Sequence, residues 1–265
     1  MRWPVFLALA LAACGAGAPV PRTAPARPVR VMSLNQCTDQ LVLALLPPAR
    51  IASVTWLSRD PRYSDAVAAA RGVATNRGGV EEVVTTRPDL IVTDTFSNAG
   101  GRAILHRLGY PVIELPDASD AGAIAANIRT LAAALGEQAR GEAMIAAMMR
   151  DLAPSPSRRE RVAVWTRDGL SETPLLALAI RAAGYTDVTP AGAPADVETL
   201  LALAPDRLVT MSAGERDASV ADSRREHPAV RTRWPRARRI DVPLSRVICG
   251  TPAVGRAAAA LRAAA

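Results

Sequence analysis

Val80-Glu81-Glu82-Val83-Val84-Thr85-Thr86-Arg87-Pro88-Asp89-Leu90-Ile91-Val92 is answered later in the chain by Val197-Glu198-Thr199-Leu200-Leu201-Ala202-Leu203-Ala204-Pro205-Asp206-Arg207-Leu208-Val209. In each copy a glutamate falls in the first turn of a short helix, where the helix dipole favours negative charge. Seven residues beyond that glutamate, Pro88-Asp89 and Pro205-Asp206 break the helix and feed an apolar strand. One such unit is common in α/β proteins. Two, at matching places in two halves, predict a protein with two related lobes.

Between the copies lies a stretch suited to join them. Residues 137–153 follow the helix-breaking Leu135-Gly136 and precede Pro154 and Pro156, which cannot continue a helix. Met144, Ile145, Met148, Met149 and Leu152 form one apolar stripe on that helix, with Glu137, Arg140, Glu142 and Arg150 mostly on other faces. Around the first copy, strands are expected at 30–34, 51–55, 90–93 and 112–115. Helices carry Leu41, Val42, Leu45 and Leu46, then Ile104, Leu105 and Leu108, then Ile124, Ile128, Leu131 and Leu135. Ser119 is the expected N-cap of the last of these. Around the second copy the pattern gives strands at 161–165, 208–211 and 240–242, with helices at 174–183, 197–203 and 253–265. Apolar strands alternating with helices argue for an α/β fold with parallel sheets covered on both faces.

The chain of 265 residues opens with Arg2 and an apolar run at 5–13, too short for a permanent membrane anchor. Leu11-Ala12-Ala13-Cys14 resembles a lipobox, in which Cys14 would be acylated; Pro19 disfavours ordinary cleavage near Gly17-Ala18. The expected division is a signal peptide at 1–14, an Ala- and Pro-rich tether at 15–28, lobes at 29–136 and 154–265, and the connecting helix at 137–153. The chain is thus read as exported to the periplasm or the outer face of a bacterial membrane. Membrane attachment is expected only through a lipid on Cys14. The net charge is +7, all of the positive charge being arginine. Outside the cytoplasm, nucleic acid is not an expected partner. The five arginines between Arg231 and Arg239, with Trp234 among them, read as a solvated basic surface.

Several segments, in their order and spacing, resemble the substrate-binding proteins of ABC importers for cobalamin, haem and ferric siderophores. They are Val31-Met32-Ser33-Leu34 with Asp39-Gln40-Leu41, Gly79-Val80-Glu81, Arg87-Pro88-Asp89-Leu90 and Cys249-Gly250-Thr251-Pro252. The resemblance implies a class III periplasmic binding protein, two Rossmann-like lobes joined by a single long α-helix. It also implies a metal chelate in the inter-lobe cleft, and an ABC permease with its ATPase as partner. One acidic residue on each lobe engages permease arginines in that family, and the matching positions are Glu81 and Glu198. Each opens a helix, so each carboxylate should be exposed; the plainer reading is that both only favour their helix N-termini.

Ligands of such folds sit outside the carboxyl ends of the strands. Those ends supply Asn35, Gln36, Cys37, Trp56, Arg59, Arg77 and Phe96 from the first lobe, and Trp165, Arg167, Arg246 and Cys249 from the second. Trp56, Phe96 and Trp165 offer apolar area to a flat chelate in a chain with only nine aromatics, although Phe96 and Trp165 could equally pack between strand and helix. The arginines could pair with propionates or other anionic groups, or be solvated loop residues. Cys37 and Cys249 would lie one in each lobe's cleft loops. A disulfide, two free thiols, and a thiolate on the bound metal all remain open.

Three rival functions fit the sequence less well or stay open beside it. A free zinc or manganese receptor needs several imidazole and carboxylate ligands, and the chain has only His106 and His227. An exported enzyme is disfavoured because no Gly-x-Ser-x-Gly or His-Glu-x-x-His is present, and no cofactor is expected. A non-transport ligand sensor on the same scaffold stays open.

Overall fold

The computed structural model describes residues 22–166, 169–171, 173–192, 196–212 and 227–264. The signal peptide and Cys14, the start of the tether, and Arg167 lie outside the described residues.

The first sheet comprises β1 (Val31–Ser33), β2 (Ile51–Thr55), β3 (Thr75–Asn76), β4 (Leu90–Asp94) and β5 (Val112–Leu115). All pairings are parallel, in the order β3-β2-β1-β4-β5. Every residue of β4 is buried, as a central strand covered on both faces requires. The covering helices are α1 (Gln36–Leu45), α2 (Val80–Thr86), α3 (Ala99–Arg107) and α4 (Ala121–Leu135). The cap of α4 is Asp120, whose carboxylate accepts from Ala123 N at 2.8 Å; the expected cap, Ser119, lies one residue outside.

The connecting helix α5 runs Gln138–Asp151, shorter at both ends than expected and roughly 21 Å long. Glu137 is not helical. Its carboxylate pairs with the buried Arg50, whose Nη2 also donates to Leu135 O (2.7 Å) and whose Nε donates to Pro28 O (2.8 Å). Arg50 therefore fixes the α4–α5 elbow. The stripe of α5 is narrower than expected: Ile145, Met148 and Leu152 are buried, but Met149 points to solvent. A Cβ at Gly141 would stand 2.6 Å from the Ala132 Cβ, so glycine is what lets α5 close on α4.

The second sheet contains β6 (Arg161–Thr166), β7 (Gly169–Leu170), β8 (Thr186–Asp187), β9 (Arg207–Ser212) and β10 (Arg239–Pro243). Strands β10, β9, β6 and β8 pair in parallel, while β7 folds back antiparallel on the end of β6. Its helices are α6 (Pro174–Ala182), α7 (Val197–Leu203), α8 (Pro228–Arg233) and α9 (Ala253–Ala263). Helix α9 lies against α5, where a Cβ at Gly255 would meet the Asp151 Cβ at 2.7 Å. Among the described residues no helix is long and apolar enough to cross a membrane.

The repeated segments adopt the same structure. Helices α2 and α7 each end on a non-glycine residue in the left-handed region, Arg87 (φ 49°) and Ala204 (φ 44°). The aspartate of each Pro-Asp then holds the start of its lobe's central strand. Asp89 accepts from Val29 N (2.8 Å) and Arg30 N (3.0 Å), and Asp206 accepts from Arg161 N (2.8 Å). The arginine so held reaches back to the helix end, Arg30 Nη2 to Thr86 O (2.7 Å) and Arg161 Nη2 to Leu203 O (3.0 Å). Orphan carbonyls at a helix terminus are thereby satisfied. The motif is a helix-to-strand clamp, built twice.

Candidate functional site

The carboxyl end of β1 meets the start of α1 at Asn35. Its Oδ1 accepts from Cys37 N (2.7 Å) and Thr38 N (3.4 Å), an N-cap. Its Nδ2 donates to the buried Asp94 carboxylate and to Ser97 Oγ (3.1 Å). Asp94 in turn accepts from Phe96 N (3.1 Å) and Ser97 N (2.6 Å). Asn35 is thus engaged in setting the 95–98 loop rather than free to meet a ligand. What that loop presents is Phe96, 75% exposed. On the other side of β1, Trp56 follows β2 and is 52% exposed. Two solvent-facing aromatics therefore flank the N-terminus of α1. Leaving such area in water is unfavourable unless something covers it.

Beneath this rim is a polar layer. Ser33 and Thr38 hydroxyls share a hydrogen bond (2.8 Å), and Asn76 Nδ2 donates to Ser33 O (2.9 Å) and Ser53 Oγ (2.8 Å). Asp39 Oδ2 accepts from the amide and hydroxyl of Thr55 (3.0 and 2.5 Å), while its Oδ1 is buried without a partner. Burial pushes the Asp39 carboxyl up to about 7, against the opposing pull of the Thr55 hydrogen bonds.

Trp165 is not a cleft residue. It is fully buried in a second-lobe cluster with Ala163, Leu200, Leu208, Val230 and Trp234. The strand period explains this: Val162 and Val164 face the main core, so Ala163 and Trp165 face the outer helices. Arg59 is exposed but its Nη2 donates to Val73 O. Arg77 is exposed with no side-chain partner among the described residues, and Gln36 is half-buried.

The two lobes are joined covalently. Cys37 and Cys249, 212 positions apart in sequence, form a disulfide with Cα atoms 5.2 Å apart. Closing so long a loop removes on the order of 5 kcal/mol of chain entropy from the unfolded state. Beside it, Asp65 of the first lobe takes Arg256 Nε at 2.6 Å and faces Arg246 Nε at 3.5 Å. Arg246 is therefore directed across the base of the cleft to Asp65. Gly250 packs against the Ala118 carbonyl with no room for a side chain. Asp65 and Arg256 carry no sequence signal of their own, standing 191 residues apart.

On the repeat helices Glu81 and Glu198 are exposed, and neither carboxylate has an ion-pair partner among the described residues. No group of three or more His, Cys, Asp or Glu is placed to hold a metal ion among the described residues. His106 bonds Glu114 (2.7 Å) on α3 and β5.

Two α/β lobes with largely parallel sheets, joined by a single connecting helix, are the fold of the class III binding proteins. The chain belongs to the periplasmic binding protein family, which matches residues 31–232; it is a family of substrate-binding proteins, not of enzymes. Among solved structures, it is similar to the periplasmic heme-binding protein RhuT from Roseiflexus sp. RS-1 in apo form. The TM-score is 0.69 at 21% identity, over 89% of this chain and 98% of that one. It is also similar to the molybdate periplasmic binding protein MolA of Haemophilus influenzae (TM-score 0.66, 14% identity, 90% and 85% covered). A third is the ABC-type Fe3+-hydroxamate transport system protein from Saccharomonospora viridis DSM 43017 (TM-score 0.65, 16% identity, 90% and 93% covered). No curated protein matches the sequence.

Proposed function

We propose that this protein captures a metal chelate (cobalamin, haem or a ferric siderophore) between its lobes and delivers it to the permease of an ABC importer. The observation that carries the ligand class is the pair of exposed aromatics, Trp56 and Phe96, on a rim whose neighbouring polar groups are already engaged with one another. Such a rim offers flat apolar area and little first-hand polar recognition, which suits a large planar or greasy chelate better than a bare ion. Arg77 would supply charge to an anionic periphery. Glu81 and Glu198 would dock the permease, one per lobe; their exposure and lack of partners support that role.

Absorbance titration with haemin, cobalamin and a ferric hydroxamate tests the ligand class, since all are coloured. Saturable spectral change with one of them, lost in Trp56→Ala, is expected. Tight calorimetric binding of free zinc or manganese, with no response to any chelate, would sink it. For docking, Glu81→Arg with Glu198→Arg should abolish uptake in cells while leaving ligand affinity in solution unchanged; uptake by the double variant would remove the assignment.

A further inference from the structure

The arginine run of the second lobe is exposed, as a solvated basic surface requires, and it is also held in place. Trp234 is fully buried at its centre, its Nε1 donating to Pro205 O (2.8 Å) and its carbonyl accepting from Arg239 Nε (2.8 Å). Arg238 N closes on Pro235 O at 2.7 Å. The segment is therefore a pinned ridge. Arg231, Arg233, Arg236 and Arg238 are all exposed on it, and none has a carboxylate partner among the described residues. The ridge also holds an open pocket of about 590 Å³, lined by Pro228, Ala229, Thr232, Arg233, Pro235 and Arg238.

We propose that this ridge is a contact surface for an anionic phospholipid layer, with a headgroup phosphate seated in the pocket that Arg233 and Arg238 line. Four un-neutralised guanidiniums within eight residues are a charge pattern that an anionic leaflet complements, and arginine forks match phosphate oxygens. The pocket's proline and alanine walls suit the glycerol end of a lipid, where a free anion would find no use for them. Its position agrees. Pro205 directly follows α7, whose first turn carries Glu198, so the ridge stands about one short helix, roughly 10 Å, beyond that glutamate. A lobe set on a permease through Glu198 would hold the ridge near the lipid at the permease's border. This last point rests on the docking reading; the charge and the pocket do not.

The test is co-flotation of the purified chain, carrying Cys14→Ala so that no acyl group contributes, with phosphatidylglycerol-containing vesicles and with pure phosphatidylcholine vesicles. Binding only to the former, lost at high salt, is expected. Replacing the four arginines by glutamine should weaken it roughly fivefold per residue, several hundredfold together, while the four-lysine variant keeps most of it. Circular dichroism and thermal melting of both variants should match the parent, because the side chains are exposed. The proposal is overturned if neither vesicle binds, if both bind equally, or if the glutamine variant binds like the parent. It is also overturned if millimolar inorganic phosphate displaces the vesicles, or if the chain binds single-stranded nucleic acid instead of them. Uptake assays are separate from this readout, so loss of docking through Glu81 and Glu198 would leave it untouched.

Discussion

The two lobes share a clamp and differ in the floor each offers to the cleft. In both, a seven-residue helix ends in the left-handed region, an aspartate grips the start of the central strand, and an arginine returns to the helix end. Yet the helices start differently. In α2, Glu82 reaches back to Gly79 N (3.1 Å); in α7, Asp196 reaches forward to Thr199 N (2.7 Å). Each lobe uses one half of the reciprocal capping arrangement. Above them the contrast widens: the first lobe buries a polar layer and exposes Trp56 and Phe96, whereas the second buries Trp165 and Trp234. What routes the chain is kept in both copies. What meets the cleft has diverged.

Aromatic placement gives the largest way to break that contrast. Trp165→Ala should cost about 3–5 kcal/mol of stability, as truncation of a buried tryptophan does, whereas Trp56→Ala should change stability by less than about 0.5 kcal/mol. Urea unfolding of both variants measures it; equal losses would mean that the two lobes use their tryptophans alike.

The buried Asp39 has no counterpart in the second lobe among the described residues, and it titrates in an accessible range. Its folded pKa is raised to about 7 from 3.8. The folded state thus holds a proton that the unfolded state has released between these values. Its contribution is full below about pH 4 and is lost as pH rises through 7, with a limiting slope of about 1.4 kcal/mol per pH unit. Denaturant melts from pH 4 to 8 should show that decline, and Asp39→Asn should flatten it. A parent profile already flat across this window would show that Asp39 stays charged in the folded protein.

The smallest effect sharpens the resemblance. Asp89→Ala and Asp206→Ala should each cost about 1 kcal/mol, because each frees a strand-start amide in a partly solvated place. Asp89 should cost slightly more, since it holds two amides and Asp206 one. A neutral result at either site, read by thermal unfolding, would leave only one working clamp.

Much of this was legible in the sequence, for identifiable reasons. The repeat announced both clamped helices to the residue, because Pro-Asp stops a helix wherever it stands. Parallel strands such as Ile51–Thr55 and Val112–Leu115 are visible as short runs rich in apolar residues. The two-residue strands β3 and β8 carry too little pattern to be seen. The sequence leaves Trp165 open between the cleft and the layer between strand and helix; the strand period, which aligns it with Ala163, decides for the second. The meeting of Asp65 with Arg246 and Arg256 depends on how the lobes abut, which no local pattern encodes.

A protein threaded through a membrane from its N-terminus delivers Cys37 to the far side 212 residues before Cys249. Once Leu115 has followed, the first lobe has its whole sheet while its cysteine still waits. The only other cysteine is Cys14, and acylation there would leave Cys37 a single possible mate. The bond that ties the lobes therefore becomes available only after the connecting helix and all five strands of the second sheet have emerged. A chain that lacks Cys249 keeps an unpaired thiol at Cys37, open to the thiol chemistry of an oxidising compartment.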